Sequence, residues 1–220
     1  MLNPNCPRPP FVPGLLDLTD PEAEPDERPT PLMVPDPDLA DWVLETLLGE
    51  DSPLLVTDHV EILSASVGFL WTNVERKRSG GQVLGTAQLG KPTRHHGDAW
   101  TVAGLEQQRR EWFGKVPDLL VTLYAPFFAR CDEVAVVAVI DHELRHFAPK
   151  VDKEGEPAYD EETGRPAWRI VSHDLEEFTG TIEHFGAGWD GARERMRQAM
   201  ALRPRFDVDL VSRFVGPPLL

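Results

Sequence analysis

The spacing of apolar residues divides the chain into segments of alternating type. In "PDPDLADWVLETLLGE" (35–50), Leu39, Trp42, Val43 and Leu47 recur at helical spacing, with Asp36 or Asp38 available as the cap. The next stretch, "HVEILSASVGFLWTNV" (59–74), is rich in β-branched and aromatic residues. "RKRSGGQ" (76–82) and a second apolar run, "VLGTAQLG" (83–90), follow it, and two such runs around a Gly-Gly pair predict a β-hairpin. "GLEQQRREWFGK" (104–115) reads as a short polar helix, and "DLLVTLYAPFF" (118–128) as a strand ended by Pro126.

"CDEVAVVAVIDHELRHF" (131–147) is β-branched enough to pass for a buried strand. However, Val137, Ile140, Leu144 and Phe147 are spaced 3, 4 and 3 apart and form one helical stripe. A helix from Asp132, capped by that residue and barred from extension by Pro149, is therefore predicted. Residues 148–171 hold turn-rich segments that read as a loop and short hairpin, with the returning strand at "AWRIV" (167–171). "SHDLEEFTGTIEHFG" (172–186) is a second helix, capped by Ser172 or Asp174 and ended by Gly186, and "DGARERMRQAMAL" (190–202) a third. Strands, helix, loop and further C-terminal helices in this order argue for an α+β fold.

Composition changes the picture at the N-terminus. Prolines recur through residues 1–36, and "DLTDPEAEPDERPTP" is acidic as well, so this segment is expected to be a disordered acidic Pro-rich tail preceding a domain at 37–220. The 220 residues suffice for one domain with a core. A net charge of −15 disfavours broad contact with nucleic-acid phosphates. Lys77, Arg78, Lys91 and Arg94 form the only upstream basic patch and read as a solvated loop. Cys6 and Cys131 suggest no disulfide framework, and the N-terminus lacks a cationic segment followed by an apolar run. No stretch approaches the ~20 apolar residues of a membrane span. A cytoplasmic location without membrane association is the expectation.

The chemistry concentrates in "VIDHELRHF" (139–147). On a helix, residues four apart lie about 40° apart around the axis, so His142 and His146 project from one face and can grip one tetrahedral metal ion. Glu143 stands about 100° from His142, close enough to take a proton from a water activated by that ion. A catalytic zinc takes three protein ligands and keeps a fourth position open. His173, which opens the segment after the hairpin, is the best candidate for the third, with Glu176 or Glu177 as the alternative. His59, the adjacent pair His95 and His96, and His184 read as structural or solvated. Trp100, Trp112 and Trp189 read as core or pocket aromatics.

"VIDHELRHF", "SHDLEEF" and "IEHFG" together resemble the phage metallopeptidase family, whose members pair an "IDHELCH" helix with a later "GHDVEEF…ERYG" block. The resemblance covers about residues 55–190, and "DLLVTLYAPFF" resembles the strand before the metal helix. More distantly, "HELRH" followed by "HDLEEF" is similar to SprT-like zincins, and this similarity is the main ground for ranking His173 above the glutamates. Arg145 replaces a small residue or Cys, and His184 an Arg; neither is a proposed ligand.

The resemblance implies a zincin-like fold, with a small mixed or antiparallel sheet packed on the active-site helix. It also implies a Zn2+-dependent peptidase with ligands His142, His146 and His173 and general base Glu143, acting on a protein or peptide that lies along "LLVTLYA" (119–125) as a sheet edge. Two rival readings remain at this stage: a non-catalytic zinc-stabilised interaction module, which a fourth protein ligand would mark, and a protease acting on DNA-bound proteins.

Overall fold

The computed structural model describes residues 6–17, 29–78, 81–161 and 164–173, together with residues 201, 206, 210 and 211. Strand β1 (Met33–Pro35) leads into helix α1 (Pro37–Thr46). The cap is Asp36, whose Oδ1 accepts from the Leu39 amide at 3.0 Å while its Oδ2 accepts from Trp71 Nε1 at 2.7 Å. One carboxylate thus starts the helix and ties it to the sheet. Leu39, Trp42, Val43 and Leu47 are all buried, as their spacing predicts.

A 3-10 segment (Thr57–Ser64) takes up "HVEIL", and the strand follows as β2 (Val67–Thr72). The Gly-Gly signal closes only a local hairpin, β3 (Lys77–Arg78) with β4 (Gly81–Gln82). The second apolar run becomes β5 (Gly85–Leu89), and helix α2 (Ala99–Phe113) then leads to β6 (Leu119–Tyr124). The main sheet is mixed, in the order β1-β2-β6-β5; β2 and β6 run parallel and β5 antiparallel to β6.

The two runs expected to pair as a hairpin are therefore separated by β6. A parallel partner requires a long crossover, and residues 73–118 supply it. All six residues of β6 are buried, the pattern of a strand flanked on both sides. This overturns the expectation that "LLVTLYA" is a sheet edge: both edges of β6 are already paired, and the strand nearest the cleft described below is β5.

A short helix, α3 (Ala125–Phe128), turns the chain into helix α4 (Glu133–Arg145). Asp132 Oδ1 accepts from the Ala135 amide at 2.8 Å and fixes the start of α4. Val136, Val137, Ile140 and Leu144 are buried against the core. The last member of the predicted stripe, Phe147, is buried too, but it opens β7 (Phe147–Pro149), which pairs antiparallel with β8 (Trp168–Ile170).

The first 36 residues, where described, lie on the domain. β1 adds to the sheet edge, and Leu15 is fully buried. The Asn73 side chain accepts from the Leu32 amide and donates to the Gly14 and Thr30 carbonyls. Arg8 donates to the carbonyls of Phe128 and Cys131 at 2.7 and 2.8 Å. Composition measures what a segment buries alone; here the domain provides the apolar surface and the hydrogen-bond partners.

Trp100 is 88% exposed at the start of α2, contrary to the core or pocket role expected of it, whereas Trp112 is half-buried. Trp189 and the helices expected at 172–186 and 190–202 fall outside the described residues, apart from Ser172, His173 and residue 201. Among the described residues, no helix is long and apolar enough to cross a membrane.

Candidate metal centre

The turn spacing of α4 places the rings of His142 and His146 with centroids 5.1 Å apart. The β7–β8 hairpin folds the chain back alongside the helix end. Its register carries past the strands: the Val171 amide donates to the His146 carbonyl at 2.8 Å, and His146 Nδ1 meets the Val171 carbonyl at 2.8 Å. Two residues on, His173 lies beside the helix, its ring centroid 5.0 Å from that of His142 and 4.7 Å from that of His146.

One ligand atom from each of the three imidazoles lies within 4.8 Å of the others, and the Nε2 atoms of His142 and His173 are 3.1 Å apart. Two nitrogens bound to one tetrahedral zinc at ~2.05 Å would be about 3.3 Å apart, so this pair already stands near ligand spacing. The Val171 carbonyl can only accept, so His146 Nδ1 carries the proton and Nε2 is left with a free lone pair. Burial holds the His142 pKa below its usual value, and the neighbouring His146 and His173 rings push it the same way, favouring the neutral form that ligates metal.

Glu143 is 4% exposed. Burial pushes its carboxyl up to about 7, with the His146 imidazole pulling the other way. It lies directly against β5, so close that a Cβ on Gly85 would fall 2.6 Å from its Oε1 and 2.7 Å from its Cγ. Only glycine lets the strand approach the carboxylate at this point. All four residues, His142, Glu143, His146 and His173, line one cleft of about 820 Å3 whose other wall is β5.

Gly85 is a site residue that the sequence reading missed. A Gly between two β-branched or apolar runs looks like an ordinary strand interruption, and the carboxylate it accommodates is 58 positions away. Asp141 also escaped notice. It accepts from Arg145 Nε at 3.0 Å and pairs with His59 Nε2 at 2.8 Å, anchoring α4 to the 3-10 segment one residue before the first imidazole. Burial alone would raise the Asp141 pKa, but the hydrogen bonds from His59 and Arg145 outweigh it and hold the group below its usual value.

His59 is buried in that structural pairing, and His95 and His96 are exposed in a short 3-10 turn, in line with their sequence reading. Glu176, Glu177 and His184 lie outside the described residues.

Two consequences can be measured. Gly85→Ala should displace the Glu143 side chain, because the new methyl would occupy its position. The expected result is a cost of about 1–3 kcal/mol in a urea melt.

The second consequence concerns pH. Folding raises the Glu143 pKa, so the folded chain favours the protonated carboxyl, and this contribution to stability is lost as pH rises toward 7. In chelator-treated protein, Glu143→Gln should therefore gain on the parent between about pH 5 and 8, by up to about 3 kcal/mol. The opposite slope from His142 is common to both proteins and cancels. A difference independent of pH would mean that the carboxyl is not held in its raised state.

A mixed sheet backing a helix with His-Glu-x-x-His, and a hairpin that returns a third histidine to it, is the arrangement of a zincin-like metallopeptidase domain. The chain belongs to the family described as Putative phage metallopeptidase, whose family model matches residues 40–201. No curated protein and no solved structure matches it.

Proposed function

We propose that this protein is a zinc-dependent peptidase in which His142, His146 and His173 hold the metal and Glu143 is the general base. The observation that carries this reading is the convergence of three imidazoles in one cleft with a buried carboxylate on the same helix. When bound, zinc supplies Lewis acidity to the scissile carbonyl and makes water acidic enough to yield its proton near neutral pH.

The rest of the chemistry belongs to the chain. Glu143 accepts the proton of the attacking water on a carboxylate oxygen and delivers it to the leaving amine nitrogen. Its raised pKa, near neutrality, suits both transfers. The Val171 carbonyl holds the His146 ring in the ligating tautomer. Among the described strands, β5 pairs only with β6, so its other edge can receive an extended peptide beside Glu143.

Among the described residues the metal group has three members, His142, His146 and His173, the number a catalytic zinc takes from protein. The test is digestion of a mixed peptide library by zinc-loaded protein, read by mass spectrometry with and without chelator. Cleavage that stops on chelation supports the proposal. A chain that binds one zinc and cleaves nothing would return the reading to a zinc-stabilised interaction module.

A further inference from the structure

The wall of the cleft formed by residues 76–78 is basic. Arg76 and Arg78, both exposed, line it, while among the described lining residues the only carboxylate is Glu143 itself. This contrasts with a chain whose net charge is −15. The two arginines are two apart in an extended segment and so share a face. Lys77, between them, is paired with Glu75 at 3.6 Å, and the second oxygen of Glu75 takes the Gln82 amide at 3.2 Å. The local acid is thus engaged with Lys77 and Gln82. A guanidinium carries five donors, so either arginine can receive a carboxylate alongside its other contacts.

The distance to the reacting centre follows from the backbone. The Arg76 carbonyl accepts from the Val83 amide at 2.8 Å, and Gly85, two residues further on, is the point of contact with Glu143. Two residues of strand span about 7 Å, so a peptide extended along β5 would bring a side chain two or three residues from the scissile bond to the arginines.

We propose that Arg76 and Arg78 select substrates with an acidic side chain two or three residues from the cleaved bond. This rests on the peptidase reading and adds the substrate class to it. A carboxylate suits this site better than a nucleic acid, because one pair of arginines offers a local contact while the surrounding negative charge repels a phosphate backbone.

The test uses the full, zinc-loaded chain and matched quenched peptides with Glu, Gln or Lys at each of several positions on both sides of the cleaved bond. At one position, kcat/KM for Glu should exceed that for Gln by about tenfold, the discrimination of one charge-assisted pair, and the ratio should shrink in high salt. Arg76→Glu/Arg78→Glu should invert the order to favour Lys, and Arg76→Gln/Arg78→Gln should abolish it. Unchanged zinc content and circular dichroism would show that the variants remain folded. Equal rates for Glu, Gln and Lys at every position, or a Glu preference that survives both double variants, would overturn the proposal.

If no peptide is cleaved, the peptidase reading fails separately. Fluorescence anisotropy of the same labelled peptides on Glu143→Gln then decides the selectivity: tighter binding of the Glu peptide, lost on charge reversal, supports it, and equal binding overturns it. A labelled DNA duplex serves as a further arm. DNA binding that depends on the two arginines, without any Glu preference, would assign them to phosphate instead.

Discussion

Glu143→Gln is expected to lower peptide hydrolysis by about 10²–10⁴-fold while leaving zinc content at the parent level, because the amide keeps the size of the side chain but cannot accept the proton of the attacking water. Glu143 is wedged between α4 and Gly85 and is 4% exposed, so Gln can occupy the same space without repacking. The loss should appear in kcat, since the missing step is proton transfer and not peptide docking along β5. Elemental analysis and a calorimetric zinc titration separate this outcome from metal loss. A variant that retains parental kcat with full metal would remove Glu143 from the mechanism, and any peptidase activity would then need another base.

The second large effect belongs to the third imidazole. His173→Ala should weaken zinc binding by more than about a hundredfold, the upper end of what is lost when a group that merely orients a ligand is removed. His173, the proposed third ligand, lies on the segment that returns from the hairpin to α4, so a bound zinc should act there as a cross-link as well as a cofactor.

In the parent chain, zinc at ~1,000 times its Kd adds about 4 kcal/mol, or about 10 °C in Tm for a domain of this size. His173→Ala should lose most of that shift, and the triple His142→Ala/His146→Ala/His173→Ala variant all of it. If His173→Ala keeps both its zinc and its thermal shift, the third ligand is a different group, and Glu176 and Glu177, the sequence alternatives, would be next to replace. Elemental analysis of protein purified without added metal, parent beside His173→Ala, gives the stoichiometry directly.

The readable parts of the site have a common character. His142 and His146 share one face by helix geometry over a single turn, and Asp132 starts that helix through a local backbone rule; its end at Arg145, four residues before Pro149, is set by the strand pairing of Phe147–Pro149 with β8. The return of "AWRIV" follows from turn residues and a β-branched run, and it makes His173 a candidate on sequence grounds. Each inference needed only neighbours within a few residues, where periodicity and capping operate.

The chain alone therefore determined the helix, its N-cap, the imidazole pair and the hairpin that returns toward it. Tertiary structure decided where β6 lies, and so which strand borders the cleft. It also decided that Gly85 must be glycine, that Arg76 and Arg78 face the site, that Trp100 is exposed and that the described parts of the Pro-rich segment pack on the domain. The physical reason is the range of the interactions. Strand order, close approach and burial depend on which distant surfaces meet, and that is fixed by the sum of many long-range contacts that leave no period in the sequence.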